Sequence, residues 1–250
     1  MKIIAAKNIK IKLVLFAMLF AILGGLAAGT GIVYKMSSID ASYDKIKTKT
    51  VIIDPGHGGI DGGTSAADGT LEKDINLKIA LKLNDMLNSM GINTVLTRTE
   101  DISIHDESAK TIRQKKVSDI KNRLKIMNNT DNAIFVSIHQ NYFSESKYSG
   151  TQVFYSKNNS DSAKLADSIR LPVISYLQPE NSRETKSSGT DIYLLYHAQV
   201  PAVMVECGFL SNQKEADSLK DEAYQNKMAF LIAIGIIDFF NNTEDIPNGG

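Results

Sequence analysis

The sequence is short of cysteine and has no excess of charge of either sign. Cys207 is the one cysteine among 250 residues, which excludes a disulfide within the chain and a four-cysteine zinc site. The 28 basic and 28 acidic residues give a formal net charge of zero. A nucleic-acid-binding protein usually presents a basic face, so we expect no nucleic-acid partner. The sequence also lacks a G-x-S-x-G motif, which argues against a serine hydrolase of the α/β type.

Acidic residues are absent from residues 1–35, which contain five lysines and a long uncharged run. Residues 13–34 carry no charge and are numerous enough to cross a bilayer core, which takes about 20 apolar residues. Four lysines precede this run and predict a cytoplasmic amino terminus, with the rest of the chain outside. We therefore predict a signal or membrane anchor in residues 1–35 and a polar linker in residues 36–49. Small residues at 24–31 are typical of a cleavage region, so anchoring and secretion both stay open.

From residue 50 onward, segments with strand character alternate with segments of helical periodicity. The pattern predicts strands at residues 51–53, 92–97, 133–139, 150–155, 191–196 and 201–206. It predicts helices at residues 72–90, 111–129, 161–177, 213–220 and 222–240, followed by a polar tail at 243–250. This order indicates a single α/β domain, residues 50–242, with a mostly parallel six-stranded sheet covered by helices on both faces.

The segment VIIDPGHGGIDGG, residues 51–63, places a histidine in a glycine-rich loop directly after a short apolar strand. The glycines on both sides of His57 allow sharp turns and leave its imidazole uncrowded. A buried strand that delivers a polar side chain into a loop at its carboxyl end is typical of a site in an α/β sheet. We therefore expect the functional site to be built around His57.

Three other polar residues stand where such a sheet would bring them close to His57. His139 closes the apolar run FVSIH, and Glu206 follows the apolar run PAVMV. Glu72 begins the first predicted helix. The carboxyl ends of parallel strands meet at one edge of a sheet, and the helix after a strand begins at that edge. We therefore expect all four side chains to lie together.

These four residues match the chemistry of a hydrolytic zinc site. Two histidines and one glutamate are a ligand set of catalytic zinc, which keeps a fourth position for water. The metal lowers the pKa of that water to about 7 and polarises a substrate carbonyl. A second carboxylate then has to take the proton from the water and return it to the leaving amine. Two histidines and two glutamates satisfy this requirement.

Each residue also has a structural interpretation. His57 fits a hydrogen-bonded surface residue in a turn, and His139 fits a core histidine with satisfied partners. Glu72 fits a favourable charge in the first turn of a helix. Glu206 is harder to explain in this way, because an ionised carboxylate inside an apolar strand is costly without a partner.

Three further residues with possible chemistry are interpreted outside this group. His105 lies in a polar loop and His197 at a predicted strand end, and both are read as structural or substrate-facing residues. Cys207 has no evident base and no helix amino terminus of its own, so it is interpreted as a small buried residue rather than a nucleophile.

Five segments in a fixed order resemble the zinc-dependent N-acetylmuramoyl-L-alanine amidases of bacterial cell walls; they are VIIDPGHGGIDGGT, LEKDINL, NTVLTRTED, FVSIHQN and PAVMVECGFLSN. The resemblance covers residues 50–241 and agrees with the predicted fold. It implies that His57, Glu72 and His139 bind Zn2+ and that Glu206 is the catalytic base. It also implies that Asn141 of the S-I-H-x-N motif shapes the site, although a role in a turn is the simpler interpretation.

The resemblance implies hydrolysis of the amide between the lactyl group of N-acetylmuramic acid and L-alanine of the peptidoglycan stem peptide. The chain is short, membrane-targeted and without wall-binding repeats, and in this it is similar to sporulation-specific amidases. Those enzymes remove stem peptides from the spore cortex so that muramic δ-lactam can form for germination. The expectation is an extracytoplasmic cell-wall or spore-cortex enzyme, controlled by location, metal loading or an activating protein partner. Another envelope zinc hydrolase (peptidase or deacetylase) and a non-catalytic wall-binding domain stay open.

Overall fold

A six-stranded sheet forms the centre of the fold in the computed structural model, which describes residues 49–243. The predicted anchor, residues 36–48 of the predicted linker and residues 244–250 of the predicted tail lie outside the described residues. No helix within residues 49–243 combines the length and apolar character needed to cross a membrane. The membrane segment therefore stays a prediction from the sequence.

The sheet has the spatial order β2-β1-β3-β6-β4-β5. Its strands are β1 (Thr50–Pro55), β2 (Asn93–Leu96), β3 (Ala133–Asn141), β4 (Gln152–Tyr155), β5 (Lys186–Ser187) and β6 (Ala202–Phe209). Neighbouring strands are parallel except for β4 and β6, which pair antiparallel. The prediction of a mostly parallel six-stranded sheet is confirmed.

Helices cover both faces of this sheet. They are α1 (Glu72–Ser89), α2 (Ile112–Asn128), α3 (Asp161–Tyr176), α4 (Tyr193–His197), α5 (Gln213–Lys220) and α6 (Glu222–Asn242). On one face, α1, α3, α5 and α6 pack over one hydrophobic core; on the other, α2 and α4 pack over a smaller core. Successive side chains of β1 point to opposite faces of the sheet. Val51 and Ile53 therefore belong to the first core and Ile52 to the second.

The helices form where the apolar spacing predicts them. In α1, Ile75, Ile79, Leu83 and Leu87 are buried and lie on one stripe, so the helix packs its apolar face on the sheet. The helix α2 begins at a capping box in which Thr111 and Gln114 satisfy each other's backbone groups. Its buried side chains are Arg123 and Met127, and the burial of an arginine here matters for the site.

The prediction of a strand at residues 191–196 is wrong. This segment contains the short helix α4, and the strand at the edge next to β4 is β5, at Lys186–Ser187. Leu194 and Leu195 bury their side chains in the smaller core from a helix, and a short apolar run does not distinguish a strand from a buried helix. Other strand ends differ by a few residues, and two of these differences concern the site. The strands β3 and β6 continue to Asn141 and Phe209, so His139 and Glu206 lie within strands rather than at their ends.

Candidate metal centre

The loop after β1 holds His57 in an unusual backbone conformation. His57 has a φ of 62°, in the left-handed region that costs free energy for most L-residues. Backbone hydrogen bonds in both directions between Gly58 and Asp61, at 2.9 and 3.1 Å, close the turn that follows. Gly56 has to be glycine, because a Cβ there would lie 2.2 Å from Nε2 of His139. The glycines predicted to free the imidazole also let the two histidine rings approach, with centroids 4.9 Å apart.

Three of the four predicted site residues meet at a single point. Oε1 of Glu72, the first residue of α1, lies 3.2 Å from Nε2 of His57 and 2.9 Å from Nδ1 of His139. The candidate ligand atoms of these residues all lie within 4.8 Å of one another. Such a convergence of two imidazoles and one carboxylate can hold a metal ion.

The surroundings of Glu72 favour its ionised form. The backbone N–H groups of Thr64 and Gln140 donate to its two oxygens at 2.9 and 3.1 Å, and the Asn76 amide donates at 3.3 Å. Burial opposes ionisation, but the hydrogen bonds and charges of His139 and His57 outweigh it and lower the pKa of Glu72. A buried carboxylate fixed in this way offers a permanent negative charge to a cation.

Asp61 orients His57 from the opposite side of the imidazole ring. Its Oδ2 lies 3.0 Å from Nδ1 of His57, while Lys116 of α2 contacts its Oδ1 at 2.8 Å. When Nδ1 of His57 carries a proton and donates it to Asp61, Nε2 keeps its lone pair. This nitrogen lies on the side of Glu72 and can bind a metal ion there. Burial opposes protonation of His57, but Asp61 first and Glu72 second raise its pKa to about 9.

Glu206 lies beside this group but is not part of it. It pairs with His139 across the strands β3 and β6, so the two side chains are neighbours on the same face of the sheet. Its Oε2 is shielded from water and has no hydrogen-bond partner among the described residues. Burial raises the pKa of Glu206 to about 7, although His139 acts against this rise. A carboxylate with such a pKa and an unused oxygen can accept and return a proton near neutral pH.

A buried ion pair between Arg123 and Asp54 holds the loop that carries His57. Arg123 contacts Asp54 at 2.6 Å, with side-chain exposures of 4% and 1%, and Thr97 and Ser137 each donate to the same carboxylate at 2.6 Å. The Arg123 guanidinium also donates to the backbone oxygens of Pro55 and His57, at 2.8 and 2.7 Å. The pair therefore ties α2 to the end of β1 and to His57 itself.

Arg98, a second buried arginine, holds the same loop through its backbone oxygens. Arg98 donates to the backbone oxygens of Pro55 and Gly56 at 2.9 and 3.0 Å, and to that of Lys73 at 2.9 Å. Burial and the neighbouring Arg123 lower the pKa of Arg98 to about 10. The sequence interpretation missed Asp54, Arg98 and Arg123. A signal was present, because Asp54 directly follows the apolar run at residues 51–53, and a buried carboxylate needs a partner, as Glu206 does.

The other histidines and Cys207 lie outside the group. His105 has its Nδ1 2.9 Å from the hydroxyl oxygen of Ser103, within the loop after β2. His197 ends α4, and its ring contacts that of Tyr193 at a tilt of 55°, with ring centroids 4.4 Å apart. Cys207 is fully buried and burial raises its pKa, which confirms the prediction of a small buried residue.

Asn141 lies at a break in the strand register. The pairing between β3 and β6 shifts between His139 and Asn141, and the backbone oxygen of Asn141 accepts from Leu210 at 2.8 Å. A register shift of this kind bends a strand next to a site and re-aims its side chains. The backbone of Asn141 therefore lies at this irregularity, and a role of its side chain in shaping the site stays a prediction.

Comparison with known proteins agrees with this architecture. The N-acetylmuramoyl-L-alanine amidase family model matches residues 51–238. The germination-specific N-acetylmuramoyl-L-alanine amidase of Bacillus subtilis (strain 168) is 34% identical over 199 residues, which cover 80% of this chain and 83% of that protein. Among solved structures, the CwlD amidase of Clostridioides difficile, in complex with the GerS lipoprotein, is 47% identical. Its TM-score is 0.74, and the match covers 77% of this chain and 98% of that one.

A second solved structure supports the same assignment. The N-acetylmuramoyl-L-alanine amidase from Clostridium difficile 630 is 30% identical with a TM-score of 0.68, and the match covers 79% of this chain and all of that one. The family match extends from the second residue of β1 to the last turn of α6, so it includes every element that carries the site. The chain therefore belongs to the N-acetylmuramoyl-L-alanine amidase family of amide hydrolases.

Proposed function

We propose that the protein uses one zinc ion to hydrolyse the amide between the lactyl group of N-acetylmuramic acid and L-alanine of the stem peptide. His57, Glu72 and His139 would be the zinc ligands and Glu206 the base. The observation that carries this proposal is the convergence of three ligand atoms beside a carboxylate whose oxygen has no partner among the described residues. Family membership supports the reaction class.

The donor set fits zinc in kind, and its ligand atoms all lie within 4.8 Å of one another. Zinc bonds to histidine nitrogen and carboxylate oxygen are about 2.0–2.2 Å long, so two tetrahedral ligand atoms lie about 3.3–3.5 Å apart. The separations of 3.2 and 2.9 Å from Glu72 to the two histidines are close to this value. The three residues occupy three positions and leave the fourth for water. When bound, zinc would lower the pKa of that water and polarise the scissile carbonyl.

The remaining steps fall to the side chains of this chain. Asp61 would hold a proton on Nδ1 of His57 and so keep Nε2 directed at the metal position. Glu206 would accept a proton from the attacking water and return it to the alanine nitrogen as the amide breaks. Its pKa of about 7 suits both roles, because the carboxylate is readily protonated and deprotonated near neutral pH.

The biological setting is proposed from the relatives and from the amino terminus. The similarity to a germination-specific amidase supports removal of stem peptides from spore cortex, a step toward muramic δ-lactam. Residues 1–35 would export and anchor the chain, 36–49 would link the anchor to the catalytic domain at 50–242, and 243–250 would be a tail. The CwlD amidase was solved in complex with a lipoprotein, which supports control of this chain by a protein partner.

Mass spectrometry of the products tests this proposal. The purified protein would be incubated with peptidoglycan in the presence of zinc, and separately with a chelator. We expect release of intact stem peptides with a free alanine amine in the first case and none in the second. Cleavage within the stem peptide would indicate a peptidase, and loss of acetate would indicate a deacetylase. Binding to the wall with no cleavage would indicate a non-catalytic domain.

A further inference from the structure

The Lys73 and Asp101 side chains pair beside the loop that carries His57, and neither has a role in the chemistry described above. Lys73 directly follows the proposed ligand Glu72 in the first turn of α1, and Asp101 lies in the loop after β2. Nζ of Lys73 is 2.6 Å from Oδ2 of Asp101. Both side chains also bond to Gly59, two residues after His57. The pair therefore connects three segments, two of which carry proposed zinc ligands.

The pair holds both backbone groups of Gly59. The Gly59 N–H donates to Oδ1 of Asp101 at 2.8 Å, and the Gly59 carbonyl oxygen accepts from Nζ of Lys73 at 2.8 Å. Each oxygen of the Asp101 carboxylate thus has one donor, and the three contacts close a ring, here called the Lys73–Asp101 clamp. All three contacts involve an ionised group, and such hydrogen bonds are shorter and stronger than those between neutral groups. The clamp therefore fixes where the peptide groups next to Gly59 lie.

The backbone around Gly59 needs such a restraint, because three successive residues lie outside the usual region. The φ angles of His57, Gly58 and Gly59 are 62°, 134° and 56°. A sparsely populated conformation persists only where the surrounding structure determines it. Glycine also loses more conformational freedom on ordering than any other residue. Without contacts that hold it, this loop would sample other conformations, and the imidazole of His57 would move with it.

The segments that the clamp connects are also in close contact through their backbones. A Cβ on Gly59 would lie 2.9 Å from the backbone nitrogen of Ser103, so the loop after β2 limits where the His57 loop can lie. On the side of α1, the backbone N–H of Lys73 donates to the carbonyl oxygen of Gly62 at 3.2 Å. The clamp thus lies within a packed contact of all three segments.

The exposure of the pair predicts that its loss affects the metal centre more than the fold. The side chain of Lys73 is 12% exposed and that of Asp101 is 46% exposed. Ion pairs that reach solvent contribute little to the free energy of unfolding. Removal of residues that orient a metal ligand, by contrast, commonly weakens metal binding about 10–100-fold.

We propose that Lys73 and Asp101 are positioning residues for the metal centre, which hold the His57 loop against the first turn of α1. The inference rests on the proposed function, because it takes His57 and Glu72 to be zinc ligands. Nε2 of His57 and Oε1 of Glu72 lie 3.2 Å apart, so the clamp keeps two ligand atoms together before a metal binds. Without the clamp, the loop would have to be ordered on metal binding, and the affinity would fall by the cost of that ordering.

Zinc affinity, measured by competition with a chromophoric chelator, tests the proposal without reference to activity. For K73M and D101A we expect binding about tenfold weaker than in wild type, at the lower end of the range for orienting residues. The double variant K73M/D101A should stay within about twofold of the weaker single variant, because each single change already breaks the clamp. K73R should stay within about threefold of wild type, since a guanidinium can donate to both Asp101 and Gly59.

The matched control K82M removes another lysine of α1 that forms an ion pair. Lys82 contacts Glu222 of α6 at 3.1 Å, and K82M should bind zinc as wild type does. Unchanged zinc affinity in K73M and D101A would overturn the inference. Losses that multiply in the double variant would overturn it as well, because two residues that act independently do not form a clamp.

Denaturant unfolding of the metal-free proteins separates positioning from a purely structural role. The unfolding midpoints of K73M and D101A should be close to that of K82M, and a much larger fall would assign the pair to the fold and overturn the inference. If K73M does not fold, D101A provides the test, since it changes the more exposed member of the pair.

Product analysis on the same preparations separates failure of this inference from failure of the proposed function. Zinc binding that is weakened in K73M and D101A, with no stem-peptide release by the wild type, would reject the proposed reaction and retain the clamp. Stem-peptide release by the wild type, with the same zinc affinity in all variants, would retain the reaction and reject the clamp.

Discussion

Removal of Arg123 should destabilise the fold more than an ordinary substitution, because it leaves a buried carboxylate without its cation. In R123M, Asp54 would keep only the hydroxyl donors Thr97 and Ser137. Breaking one side of a buried ion pair costs about 3–5 kcal/mol, a large share of the 5–15 kcal/mol that typically separates folded from unfolded protein. For a domain of this size, we expect a fall in melting temperature of about 6–20 °C.

The pH dependence of this loss has a definite sign. In the wild type, burial would raise the pKa of Asp54, but Arg123, Ser137 and Thr97 lower it, so its stabilising contribution is lost only in strong acid. Without Arg123, burial prevails and the pKa rises. The penalty in R123M is then fully present at pH 7 and shrinks as the pH falls through the raised pKa.

Denaturant unfolding followed by circular dichroism at pH 7 and pH 4.5 measures both effects. The control K121M changes an exposed lysine of the same helix and should unfold as the wild type does. The double variant D54N/R123M should be more stable than R123M at pH 7, because the orphaned charge is gone. A loss below about 1 kcal/mol in R123M, or one that does not change with pH, would refute the account of this ion pair.

Three other variants test separate parts of the site. D61N should weaken zinc binding about 10–100-fold, measured by competition with a chromophoric chelator, because His57 loses its orienting partner. G56A should lose the metal site, since its Cβ would lie 2.2 Å from His139. The control G62A should keep the metal site, because a Cβ at position 62 would lie no closer than 3.4 Å to its nearest neighbour, the Leu71 side chain. In metal-free protein, E206Q should be more stable than wild type at pH 8 by about 1–3 kcal/mol in urea unfolding. That gain should vanish below about pH 4, because the folded pKa of about 7 exceeds the unfolded value of 4.5.

The site could be predicted from the sequence because polar, ionisable residues stand where buried strands normally have apolar ones. His139 and Glu206 interrupt runs of buried strand, and parallel strands align their carboxyl ends, so their proximity followed from topology alone. The convergence of His57, Glu72 and His139 was predicted in the same way and is found in the structure. Their roles as zinc ligands, and that of Glu206 as the base, stay predictions.

The parts that sequence reasoning missed depend on long-range pairing. Arg123 is the buried arginine of a helix rich in exposed basic residues, and only the packed fold distinguishes it from the others. The strand predicted at 191–196 failed because Leu194 and Leu195 reach the same core from a helix.

The most direct test of the central claim measures zinc content and stem-peptide release in the same preparations of wild type and E206Q. The account predicts one zinc per chain in both proteins, because Glu206 is not among the three converging ligand residues. It predicts release of stem peptides by the wild type and a rate about 10²–10⁴-fold lower in E206Q, the range for loss of a general base. Full activity of E206Q, or a wild-type chain that binds no zinc, would contradict it.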